Sequence, residues 1–111
     1  MRYVKSGRML VLEVPELTGE SASTTLALLP VTTWPANMLV ESPTPANTVY
    51  ANFFVTDNGL LYPGLLKLPK TDSDTLTLLI CKGAEYSASG FLGAGTKGTG
   101  AQSVSFATKD L

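Results

Sequence analysis

The sequence predicts an all-β fold: a single domain over residues 1–111 forming an antiparallel β-sandwich of jelly-roll-like form. Three observations carry this. Short apolar runs recur along the chain, several of them alternating polar and apolar residues as half-buried strands do. Seven prolines and ten glycines separate those runs, and no amphipathic segment is long enough to form a well-packed helix. With 111 residues, 44% of them hydrophobic and 15% charged, the chain can fill one core and carries too little charge for charge-driven disorder. The abundance of leucine, which suits helices slightly better than strands, is the one feature that pulls the other way.

The elements follow in order. Lys5-Ser6-Gly7-Arg8 is a polar turn with a central glycine, and Met9–Val14 is the apolar strand that leaves it. Pro15 has no N–H to give to a ladder, and the small polar residues from Thr18 to Ser23 read as a loop. Thr24–Leu29 is a second short strand, stopped by Pro30. Pro35, Pro43 and Pro45 hold the next segment extended and leave only Met38-Leu39-Val40 as a strand. Thr48–Val55 is rich in β-branched and aromatic residues; Asp57-Asn58-Gly59 then supplies left-handed turn positions before Leu60-Leu61-Tyr62 returns. This is the clearest hairpin in the chain, and Pro63-Gly64 is expected to end it. Leu65–Leu68 is a further short run, and Lys70–Asp74 is a turn into the strand Thr75–Cys81. Residues 83–100 hold six glycines and read as a long loop or flexible edge. Gln102–Thr108 alternates strictly, with Val104 and Phe106 on one face, and closes the fold.

Composition excludes several functions. Eight Lys+Arg against nine Asp+Glu give a net charge of −1, without the cationic excess that holds nucleic acid or anionic lipid. There is no histidine, the usual general base near neutral pH and the commonest metal ligand. The single cysteine, Cys81, permits no internal disulfide and no multi-cysteine zinc site. Without a histidine to act as its base, Cys81 reads as a buried structural thiol rather than a nucleophile. No run approaches the roughly 20 apolar residues of a membrane span, and Met1–Val14 reads as a strand rather than a signal peptide. A soluble, non-enzymatic protein without cofactor or metal is expected.

The motifs that recur in enzymes fail on context. Gly93-Ala94-Gly95-Thr96-Lys97-Gly98 matches G-x-G-x-x-G. A dinucleotide site would also need a following helix and an acidic residue about 20 positions on, and the chain ends first. Neither Lys82 nor Lys97 completes a P-loop. Asp72 and Asp74 lack the further donors of a calcium loop and read as a solvated turn. Glu13, Glu16 and Glu20 offer carboxylates, with nothing to pair two of them across a cleft, and serve equally as edge-strand charges that discourage aggregation. The candidate ligand contacts are aromatic: Trp34, Tyr50, Tyr62 and Tyr86, whose rings give large contact area to a saccharide or peptide.

In order and spacing, three stretches resemble the small β-sandwich head domains at the C-termini of bacteriophage tail-fibre and receptor-binding proteins. They are the glycine turn and strand from Ser6-Gly7-Arg8 to Val14, the Leu29-Pro30 stop with Trp34-Pro35 after it, and Phe53-Phe54-Val55-Thr56-Asp57-Asn58-Gly59-Leu60. The resemblance implies a homotrimeric jelly roll at a virion tail or fibre tip that binds a host-surface saccharide or protein. A virion subunit acting by assembly alone, in a tail, collar or capsid decoration, is the alternative. A trimer would account for the scarcity of charge and for apolar strands in excess of what a small sandwich buries.

Overall fold

The structure, a computed structural model, describes residues 2–20, 26–28, 38–41, 48–71, 74, 76–91 and 95–109, with the backbone alone at 19, 20 and 26–28. The described residues form two antiparallel sheets around one core. The smaller sheet has the order β1-β2-β10, from Arg2–Ser6, Met9–Val14 and Gln102–Ala107. Gly7, at φ 59°, turns β1 into β2 at a position where a side chain would be strained. Alternation along β2 buries Leu10, Leu12 and Val14; alternation along β10 buries Val104 and Phe106 opposite them.

The larger sheet contains β3 (Leu17–Glu20), β4 (Leu26–Leu28), β5 (Tyr50–Asp57), β6 (Leu60–Lys67), β7 (Leu76–Cys81), β8 (Tyr86–Ser87) and β9 (Thr96–Thr99). Its order is β3-β9-β5-β6-β7-β4, with β8 also on β7. The hairpin β5–β6 is the one expected from Asp57-Asn58-Gly59. Asn58 at φ 53° and Gly59 at φ 80° form the two-residue left-handed turn whose twist matches that of paired strands. Phe53, Val55, Leu66, Leu78 and Ile80 pack inward against Leu10, Leu12, Val104 and Phe106. Each such side chain removed from water stabilises the fold by about 1.5–3 kcal/mol.

Four sequence expectations are corrected. Pro63-Gly64 does not end the hairpin, because β6 runs through both to Lys67. Phe54 turns its N–H and C=O away from β6 to Gln102, so Phe54–Pro63 is a non-hydrogen-bonded pair in which the missing proline donor is not required. Gly64 is selected by packing: a Cβ there would lie 2.5 Å from the Leu79 carbonyl oxygen. The stretch read as a loop from Thr18 instead continues β3 to Glu20 and pairs with β9. Correspondingly, the glycine-rich stretch 83–100 contains two strands, β8 and β9. At Gly98 a Cβ would sit 1.9 Å from the Leu17 carbonyl oxygen, so the absence of a side chain is what lets β3 approach. Finally, Met38-Leu39-Val40 is a short turn, with only Val40 bridged to Thr108.

Candidate functional site

A set of charged side chains converges at the turn end of the β5–β6 hairpin. Asp57 continues the inward alternation of Phe53 and Val55 and is only 2% exposed. Its carboxylate is ion-paired with the Lys82 ammonium, which also stands 5.3 Å from the centroid of the Tyr62 ring and gains attraction from the ring face. Lys97 is Asp57's register partner on β9, 3% exposed, with its ammonium donating to the Gly95 carbonyl. A buried carboxylate is tolerable only when compensated in this way. The cluster ties β5 to the segment after β7 and positions the hairpin. Sequence reasoning placed Asp57 in the turn and weighed Lys82 and Lys97 only as P-loop lysines; the signal that would have found Asp57 is the period-2 series Phe53, Val55, Asp57.

The aromatic candidates are dispersed. Trp34 lies outside the described residues. Tyr50 begins β5, is 43% exposed, and lines a cleft between β5 and β10. Tyr62 is half-buried beneath Lys82 and packs against the core. Tyr86 is 45% exposed on β8, opposite Cys81. Tyr50 pairs with Lys67 and Tyr62 with Val55, so the two stand at opposite ends of the hairpin, about 17 Å apart along the strands, and on opposite faces. The structure does not bring the tyrosines into one patch.

What it does bring together is apolar. Phe54, Leu61, Pro63, Leu65 and Leu79 share the outward face of the larger sheet, by the registers Phe54–Pro63 and Leu65–Leu79. Phe54 is 56% exposed and Leu61 68%. On the outward face of the smaller sheet, Val4 lies opposite Val11, and exposed Met9 adjoins them.

Two of the carboxylate candidates, Glu13 and Asp74, are engaged locally. The Glu13 carboxylate accepts from the Arg2 guanidinium at 2.8 Å. Asp74 accepts from the backbone N–H groups of Lys70 and Thr71 and from the Thr71 hydroxyl, which closes a turn. Partial burial pushes its pKa up, and these three hydrogen bonds together with the nearby Lys67 charge outweigh that and hold it below the usual carboxylate range. Asp72 lies outside the described residues, and among the described residues no three His, Cys, Asp or Glu side chains converge to hold a metal. Cys81 is half-buried rather than buried, its thiol donating to the Gly83 carbonyl. No helix among the described residues is long and apolar enough to cross a membrane.

Comparison with known protein families, with curated proteins and with solved structures gives no match.

Proposed function

We propose that the protein is a non-enzymatic binding and assembly module of a phage or virus-like particle, a homotrimeric head whose loops meet a host-surface saccharide or protein. The observation that carries the assembly part is the apolar stripe Phe54, Leu61, Pro63, Leu65 and Leu79 on the outward face of the larger sheet. A sheet face bearing apolar side chains more than half exposed is the composition of a subunit-interface centre rather than of a free surface. The viral setting rests on the resemblance in turn and strand order set out above. The dispersal of Tyr50, Tyr62 and Tyr86 favours the second reading, a virion subunit that acts by assembly alone. Light scattering decides the assembly, with a trimer expected and a monodisperse monomer at high micromolar concentration refuting it. A glycan array and a cell-binding assay on the same sample then separate a receptor head, which binds selectively, from a purely structural subunit, which does not.

A further inference from the structure

At one end of the smaller sheet the registers set Arg2, Glu13 and Ser103 side by side, one from each of β1, β2 and β10. Leu12 and Val14 point inward on either side of Glu13, and Val104 does so next to Ser103, so the two-residue period turns the row outward. Against the row lies a cleft of about 390 Å³, rimmed by Pro15 and Ala101 where the chain leaves β2 and enters β10. The Ala101 side of the rim is held by Gln102, whose amide donates to the carbonyls of Phe54 and Gly100. The row is mounted on paired strands and its rim is tied down, which is the preorganisation that a small polar ligand requires.

The polar groups of the row are partly satisfied by one another and partly open. Arg2 directs both Nε and Nη2 onto a single oxygen of Glu13, Oε2, at 2.8 and 2.7 Å. Two donors on one oxygen hold the carboxylate in one orientation, and its Oε1 makes no hydrogen bond among the described residues. Nη1 of Arg2 and the Ser103 hydroxyl likewise make none. An acceptor, a group of fixed donors and a hydroxyl that serves as either therefore lie in a line about 10 Å long across three strands. The two charges that line the cleft are opposite and paired, so it favours neither an anion nor a cation. Such a row matches a neutral ligand with several adjacent hydroxyls, each both donor and acceptor, and with C–H faces to lie against Pro15 and Ala101.

We infer that this cleft is a binding site for a neutral saccharide, with Glu13 Oε1 and the Arg2 guanidinium taking adjacent ring hydroxyls and Ser103 taking a third. A single peptide group offers one donor and one acceptor and would leave part of the row unmatched, whereas one edge of a sugar ring supplies hydroxyls along its length. No second carboxylate lines the cleft among the described residues, so the site holds a sugar without the acid pair that hydrolysis requires. The inference deepens the receptor-head reading and rests on it for the saccharide being one of a host surface. It moves the contact from the dispersed tyrosines to the end of the smaller sheet.

The test follows the backbone amide resonances of the isotope-labelled full chain during titration with methyl α-glucoside, methyl α-mannoside and methyl α-galactoside, each to tens of millimolar. At least one of the three should shift Glu13, Ala101, Gln102 and Ser103 while leaving β7 unmoved. Glu13→Gln should weaken that binding at least about tenfold and Ser103→Ala about threefold to tenfold, both with a melting temperature close to that of the parent, as befits exposed positions. Glucuronate and glucosamine should bind no more tightly than methyl α-glucoside. A preference for either charged sugar overturns the assignment, and so does a response at these residues to N-acetylglycinamide in place of the hexosides. Hexoside shifts around Tyr50 or Tyr86 that survive Glu13→Gln overturn this site and leave the receptor head standing. Absence of shifts with all three hexosides, in a protein that still trimerises, overturns the site and favours the subunit that acts by assembly alone.

Discussion

Three glycines show how a single hydrogen in place of a side chain can shape a sheet. Gly98 and Gly64 are required by contact, each with a carbonyl oxygen where a Cβ would sit, whereas Gly59 is required by its backbone, with open space around it and φ at 80°. Gly98→Ala and Gly64→Ala should each cost about 1–3 kcal/mol, as overpacking does. Gly59→Ala should cost about 1 kcal/mol or more, from left-handed strain alone. Gly100→Ala, with open space and an ordinary φ, should be close to neutral. Chemical denaturation of the four variants checks the ranking, and a neutral Gly98→Ala would mean that β3 does not lie where it is placed. Asp57 is the other decisive position. Asp57→Ala leaves Lys82 without its carboxylate and Lys97 buried opposite a methyl group. The expected loss is about 3 kcal/mol, the low end for breaking a buried pair because Lys82 stays partly in water. Lys82→Met should cost about as much, and the double variant clearly less than the sum if the two are directly coupled; simple additivity would contradict the ion pair.

The turn between β6 and β7 carries the pH dependence that the structure makes explicit. Asp74 has a depressed pKa in the folded protein, so its stabilising effect is complete above the pKa of the unfolded chain and is lost as pH falls through the lower folded value. Stability should therefore decline on the acid side of the ordinary carboxylate range, and Asp74→Asn should flatten that limb by lowering stability at neutral pH, because the amide lacks the charge that the Lys70 and Thr71 donors stabilise. Unfolding curves for both proteins between pH 2 and 7 measure this, and identical acid limbs would remove Asp74 from the account. The β5–β6 hairpin is the element on which the rest depends. It carries the Asp57 cluster at its turn, the apolar stripe on its outward face and Tyr50 at its start.

Across the whole molecule, apolar strands exceed what two inward faces bury, and the surplus lies on outward faces. Phe54→Glu combined with Leu61→Lys should abolish or weaken self-association without lowering the melting temperature by more than a few degrees, since both side chains are more than half exposed. Light scattering and thermal unfolding of this variant test the two halves of that statement separately. Association unchanged by the substitutions would exclude this face as the interface. A collapse of stability would show that the stripe packs within one subunit.

The strand-and-turn plan was written locally and could be read locally. Alternation at Gln102–Thr108, the Asn58-Gly59 turn and the Gly7 turn act through neighbouring residues, where backbone sterics and period-2 burial suffice. Three features were not legible in that way. Strands β3 and β9, in stretches of weak local preference, exist because Gly98 admits a close backbone neighbour about 80 positions away in sequence. Pro63 continues a strand because its missing donor happens to face a non-hydrogen-bonded position, a fact of register rather than of residue type. Asp57 becomes a buried charge because Lys82 and Lys97 arrive from other strands and segments to compensate it. The candidate surfaces followed the same division. Tyr50 could be named from its chemistry, but the face shared by Phe54, Leu61 and Leu79, and the row of Arg2, Glu13 and Ser103, come into being only when sheet order sets distant strands side by side.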